Sequence, residues 1–183
     1  MIATLVYIEL VMNFNLRKWE PGDLGSLLKY ANNFEIAKNL MNRYPYPYTE
    51  EAGRQFIEFS RTAGPSHIFA IDIEGEAAGS IGIHLMEDIF CKNAELGYWL
   101  GEPFWSKGIT TLAVGQMLDY AFETFDIERV FARPFHTNLA SQRVLEKAGF
   151  VLEACLRSTI FKNGLFYDEL IYGIKRGDWL RKE

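Results

Sequence analysis

The chain has 183 residues, which at about 150 residues per domain makes one domain and excludes two ordinary catalytic units. With 49% hydrophobic and 23% charged residues it lies far from disordered compositions. A net charge of −5 argues against a direct nucleic-acid surface, and 2 Cys without CxxC pairing or His companions argue against a disulfide framework or zinc site, so a reducing cytoplasm is the expected setting.

Residues 2–12 are apolar apart from Glu9. The stretch is too short to span a membrane and lacks a basic leader, so it reads as an extra strand or a start-site extension, with Met12 a second candidate start. The domain proper is expected over residues 13–183. Alternation predicts a first strand at 14–19, and Pro21-Gly22-Asp23 punctuates before a helix with Leu24, Leu27, Leu28 and Ala31 on one face and Asp23 as its N-cap. A short helical stretch follows at 35–41. The prolines of Arg43-Tyr44-Pro45-Tyr46-Pro47-Tyr48 impose a loop, and Thr49-Glu50-Glu51 opens a helix burying Ala52, Phe56 and Ile57. Strands at 66–73 and 77–86 form a hairpin, and a third occupies 93–100. The most periodic helix begins near Ile109, with Leu112, Ala113, Gln116, Met117, Tyr120 and Ala121 assigned to its inner face. A short strand at 129–134 leads to a helix capped by Asn138 and closed by Gly149, with Ala140, Val144, Leu145 and Ala148 facing inward. Two strands, at 150–158 and 166–174, join through Lys162-Asn163-Gly164. One α+β domain accounts for all of this.

Three features carry chemistry. Trp105-Ser106-Lys107-Gly108-Ile109-Thr110-Thr111 starts the long helix without an acid in the first turn, where the helix dipole normally draws one; a lysine and a glycine there suit a bound phosphate, or simply a turn. Glu95 lies inside an apolar strand two residues before Gly97, which permits a bulge; it is either a desolvated carboxylate suited to general-base work or a residue of a solvated face. Asn138 and Ser141 lie one helical turn apart at a helix start, where both also have local capping roles. His84 reads as a polar-face residue on the Ser80 and Gly82 side of its strand, His136 lies in the loop before Asn138 without an identifiable partner, and both stay outside the catalytic set.

In order along the chain, Leu16-Arg17, Tyr46-Pro47-Tyr48-Thr49, Ala94-Glu95-Leu96-Gly97-Tyr98-Trp99, Trp105–Thr111, Asn138-Leu139-Ala140-Ser141, Leu145–Phe150 and Tyr167-Asp168 resemble the GNAT superfamily of N-acetyltransferases, in particular its Rim-type branch acting on ribosomal-protein N-termini. The resemblance implies a mostly antiparallel twisted sheet splayed between its fourth and fifth strands, with acetyl-CoA as cofactor. It implies cofactor contacts from Leu100, Trp105, Ser106, Lys107, Gly108, Ile109, Thr110, Thr111, Asn138 and Ser141. Glu95 becomes the general base, and Ser141 the group that meets the leaving thiolate. Tyr44, Tyr46, Tyr48 and Trp99 edge the acceptor cleft. Ser106 and Thr110 depart from the small residues usual in the family's loop. The implied reaction is acetyl transfer to a small amine or a protein N-terminus; the alternatives are an acyl-CoA-binding or ribosome-associated module without turnover, and an interaction protein with an empty cleft. The 2–12 segment is also compatible with a homodimer formed through a sheet edge.

Overall fold

The computed structural model describes residues 13–62 and 67–182, so the strand or start site expected at 2–12 and the first residue of the strand expected at 66–73 lie outside the described residues. In chain order the elements are β1 (Phe14–Lys18), α1 (Leu24–Ala31), α2 (Phe34–Ala37), α3 (Glu50–Thr62), β2 (Ile68–Ile73), β3 (Glu76–Leu85), β4 (Asn93–Leu100), α4 (Ile109–Thr124), β5 (Arg129–Ala132), α5 (Leu139–Ala148), β6 (Val151–Lys162), β7 (Leu165–Lys175) and α6 (Arg176–Trp179). The strands form one sheet ordered β1-β2-β3-β4-β5-β7-β6. Among the described residues every pairing is antiparallel except β4 with β5.

That parallel pairing is short. It joins Asn93, Ala94 and Glu95 to Arg129, Val130 and Phe131, and then stops, whereas β3 accompanies β4 as far as Leu100. The sheet is therefore open between its fourth and fifth strands.

Strand alternation divides the buried residues between two faces. Ile81, Ile83, Ala94, Leu96 and Val130 point to one face, where α4 and α5 cover them with Ala113, Val114, Met117, Leu118 and Leu145. Burying each large aliphatic side chain contributes about 1.5–3 kcal/mol. Ile68, Ala70 and Ala77 point the other way, against Trp19, Leu27, Ala31, Tyr48 and Ile57 from the early helices and loops. The second layer reaches only part of the sheet, leaving the β4–β5–β7 region of that face uncovered for a site.

Several expectations are corrected by packing. Leu112 and Gln116 of α4 are exposed, and its buried stripe includes Val114, Leu118 and Phe122 instead. A helix with apolar residues on most of its circumference offers more than one stripe, and the sheet selects between them. Ala140 of α5 is exposed as well. Asp23 makes no side-chain cap for α1 because its carboxylate takes hydrogen bonds from Arg17 and the Glu20 amide. The last two strands outrun their expected limits, to Lys162 and from Leu165. Asn163 and Gly164 both have positive φ, as a two-residue hairpin turn requires, and the register shift between Leu156 and Ile160 lets the longer strand stay paired.

Candidate active site

Glu95 and His84 are directly opposed in the β3–β4 register, and Glu95 is opposed to Phe131 of β5. Alternation adds Gly97 and Trp99 to the same face, and Arg133, one residue beyond β5, reaches Glu95 there. Arg133 clasps Glu95 at both oxygens, from Nε at 3.1 Å and from Nη2 at 2.9 Å, and its Nη1 lies 3.5 Å from Glu169 Oε1. The hydrogen bonds to Glu95 hold Arg133 above the usual arginine range despite its desolvation. Two carboxylates share one guanidinium, so this cluster has a net negative charge. A pocket of about 260 Å3 opens over it, with Met41, Phe135, Ile160 and Phe161 as apolar walls.

His84 lies beside this cluster. A Cβ added to Gly97 would sit 3.7 Å from His84 Nε2, so the glycine leaves room for the ring. Desolvation lowers the His84 pKa, Glu95 opposes that shift, and Arg43 and His67 add to it. His136 has a structural engagement: its Nδ1 accepts the Asp168 amide at 3.0 Å, tying the loop after β5 to β7.

The α4 start lies beyond the end of β4. Ser106 and Gly108 have φ of 61° and 80°, which turns the intervening amides into a concave backbone segment. The first turn of α4 contains no acid, and a Cβ at Gly108 would meet nothing within 4 Å. Trp105 donates its indole N–H to the Leu100 carbonyl at 2.7 Å, fastening this loop to β4. The Lys107 ammonium lies 5.5 Å from the Phe104 ring centroid. A helix start without a carboxylate and with open space at Gly108 fits the diphosphate of a coenzyme A molecule.

Asn138 Oδ1 accepts the Ser141 amide at 3.2 Å, making the N-cap of α5 and leaving Nδ2 as the donor for a ligand. Ser141 Oγ lies 2.8 Å from the Tyr98 hydroxyl, so strand β4 and helix α5 meet through these two side chains. Burial pushes the Tyr98 phenol well above its ordinary pKa, the bond to Ser141 opposing it only in part, and the phenol therefore stays protonated.

The four aromatic residues expected at the acceptor cleft separate. Tyr44 stands between Tyr48 and Trp99, with ring centroids 4.9 and 6.0 Å away, and donates its hydroxyl to the Ala31 carbonyl at 2.8 Å. Tyr48 is buried in the core beneath the early helices, and burial pushes its phenol up to about 12. Tyr46 is exposed, packs on Phe34 at 5.5 Å, and lines with Tyr44 a second pocket of about 220 Å3. Arg133, Glu169, Phe135 and the Tyr98 hydroxyl were not singled out from the sequence. None of these contacts is local in sequence: the β4–β5 pairing brings Arg133, just beyond β5, to Glu95, and the Phe135–Glu169 bridge brings Glu169 to the same place.

Comparison with known proteins identifies the family. Residues 13–151 match the acetyltransferase (GNAT) domain family. The chain belongs to the GNAT acetyltransferases. Among GNAT relatives, the Bacillus subtilis (strain 168) protein YdaF, provisionally named a ribosomal N-acetyltransferase, is 33% identical over 106 residues, covering 58% of this chain and 57% of YdaF. The ribosomal-protein-serine acetyltransferase of Escherichia coli (strain K12) is 30% identical over 109 residues, 60% of each chain. These alignments thus span little more than half of either relative. A structure of RimL, a ribosomal L7/L12 alpha-N-protein acetyltransferase in complex with coenzyme A, superposes with a TM-score of 0.79 over 91% of this chain and 96% of its own at 22% identity, a likeness of fold. Acetyl-CoA is the acyl donor of the GNAT family. The mostly antiparallel sheet is the GNAT arrangement that the resemblance implied, and among the described residues its one parallel pairing is β4 with β5.

Proposed function

We propose that this chain transfers the acetyl group of acetyl-CoA to a primary amine, a protein N-terminus or a small amine, by direct attack of the amine nitrogen. The observation that carries this reading is the gap beyond Glu95, where the free side of β4 lies between a pocket lined by Glu95 and Glu169 and a helix start suited to phosphates. The relatives named for ribosomal proteins support the N-terminal acceptor, and a more distant relative, the spermidine N(1)-acetyltransferase of Escherichia coli (strain K12), supports the small amine.

The backbone from Lys107 to Thr111 holds the diphosphate, with Trp105 and Ser106 shaping the approach and Leu100 ending the strand beside it. Asn138 binds the pantetheine arm. When bound, the cofactor supplies an acyl group activated as a thioester. An ammonium entering the pocket meets the net charge of the Glu95–Arg133–Glu169 cluster, and Glu95 takes the proton that frees the nitrogen lone pair. Amides at the open side of β4 near Tyr98 to Leu100 donate to the carbonyl oxygen as charge develops on it. Ser141, hydrogen-bonded to the Tyr98 hydroxyl, directs its own proton to the departing sulfur. Trp99 and Tyr44 form an aromatic wall, and positioning supplies most of the rate.

Glu95→Gln should lower kcat about 100-fold or more near neutral pH, the range that general-base catalysis supplies. Acetyl-CoA affinity should not change. Thiol release with a panel of amines and N-terminal peptides measures the rate, and calorimetry measures the affinity. Full activity in the variant would remove Glu95 from the base role, and absence of acetylation of any amine by the native chain would remove the reading itself.

A further inference from the structure

The buried cation Lys162 has no role in the chemistry above, and it stands at the acceptor cleft. Its relative exposure is 8%. It ends β6 just before the turn into β7, and its ammonium donates to the Leu40 carbonyl beyond α2. That carbonyl takes one of three N–H donors. Among the described residues no carboxylate forms an ion pair with it. Burial without a counter-ion holds its pKa below that of an ordinary lysine.

Lys162 and Asn42 line both pockets on this side of the molecule. One pocket holds the Glu95–Arg133–Glu169 cluster; the other holds Lys38, Tyr44 and Tyr46. The two pockets are adjacent compartments of one groove, with carboxylates in the compartment where the amine reacts and only lysines as charged groups in the other. A buried, uncompensated ammonium gains more from an incoming anion than a solvated surface lysine does, because its desolvation has already occurred.

On the N-acetyltransferase reading, we propose that Lys162 is a specificity residue that binds a carboxylate of the acceptor, so that the preferred substrate is an amine with an anionic group a short distance from its reacting nitrogen. An N-terminal peptide with an acidic residue at its second or third position meets this requirement, as does a small amino carboxylate. A polyamine brings a second cation to Lys162 and Lys38 and is disfavoured.

The test compares kcat/KM by thiol release for C-terminally amidated peptides that differ only in Glu, Gln or Lys at position two or three. β-Alanine, its amide and spermidine form the small-molecule arm. The native chain should prefer a Glu peptide to its Gln counterpart by about tenfold or more, the scale of a partly buried charge pair. Lys162→Met should bring that ratio close to one, and Lys162→Arg should retain most of it. Acetyl-CoA binding by each variant, followed as a thermal shift, reports whether the fold is intact. A preference for β-alanine over its amide without one among the peptides assigns the carboxylate to a small molecule; the opposite pattern assigns it to a polypeptide. Equal rates for charged and neutral acceptors in both arms, or an unchanged ratio in an intact Lys162→Met chain, would overturn the proposal while leaving acetyl transfer standing. Absence of acetylation in every arm with acetyl-CoA bound would overturn the enzyme reading and this proposal together.

Discussion

Arg17 serves two carboxylates. Its Nη1 and Nη2 donate to Asp23 at 2.8 and 2.7 Å, and its Nε donates to Asp72 at 2.7 Å, joining β1, the turn before α1 and β2. The Asp23 side chain is 9% exposed. Burial raises its pKa, but the hydrogen bonds from Arg17 and the Glu20 amide outweigh that and leave it below the ordinary aspartate value. A depressed carboxylate pKa stabilises the folded chain above the unfolded-state pKa, near 4, and this stabilisation is lost as pH falls through the folded-state value. Arg17→Met should cost about 3 kcal/mol at pH 7 by leaving buried carboxylates unpaired. The difference from the native chain should narrow below about pH 4, as Asp23 protonates. Urea unfolding at a series of pH values measures both quantities. The same comparison of partners explains why Asp23 does not cap α1: a local cap was legible from residue type, whereas competition from an arginine on a strand was not.

At the scale of elements, the start of α4 depends on backbone conformation more than on side chains. Gly108 is the N-cap in the left-handed region, and Ser106 adopts the same region without being glycine, which is where the sequence departs from the usual loop. Gly108→Asp places a Cβ and a negative charge where an anion is expected and strains the turn. It should weaken acetyl-CoA binding at least about tenfold, since one carboxylate facing a diphosphate at a helix start easily exceeds 1.4 kcal/mol. Unchanged affinity by calorimetry would remove the phosphate role of this loop. The absence of acid and the presence of glycine were readable in the sequence because both act within one turn. The buried side of α4 was misjudged at Leu112 and Gln116, because a largely apolar helix acquires its inward face only when the sheet packs against it.

At the scale of the molecule, strands distant in sequence must be held together around an opening. Arg176, just after β7, donates to the carbonyls of Phe122 at 2.6 Å, Phe125 at 2.9 Å and Ile127 at 3.0 Å, binding the end of that strand to the end of α4. Arg176→Met removes three charge-assisted hydrogen bonds far from the cleft. It should lower Tm on the order of 5 °C, as a loss of about 2 kcal/mol does in a chain of this size. Turnover at 25 °C should be preserved; a scanning calorimeter and the thiol assay would separate these effects. The aromatic residues divide at this scale too. Trp19 and Tyr48 fill the second core, Trp99 and Tyr44 form a wall, and Tyr46 remains at the surface of the groove.

The sequence by itself determined the order and type of the elements from β1 to β7, the cap at Asn138, the glycine closing α5 and the acid-free start of α4. These follow from periodicity, turn chemistry and backbone freedom over a few neighbouring residues. The family resemblance added the opening between the fourth and fifth strands. Only the tertiary structure decided that Glu95 is clasped by Arg133 beside Glu169, that Tyr98 meets Ser141, that Tyr48 belongs to the core, and that Lys162 lies buried between two pockets. Each of these depends on sheet register and on competition among partners far apart in the chain, which local sequence pattern does not encode.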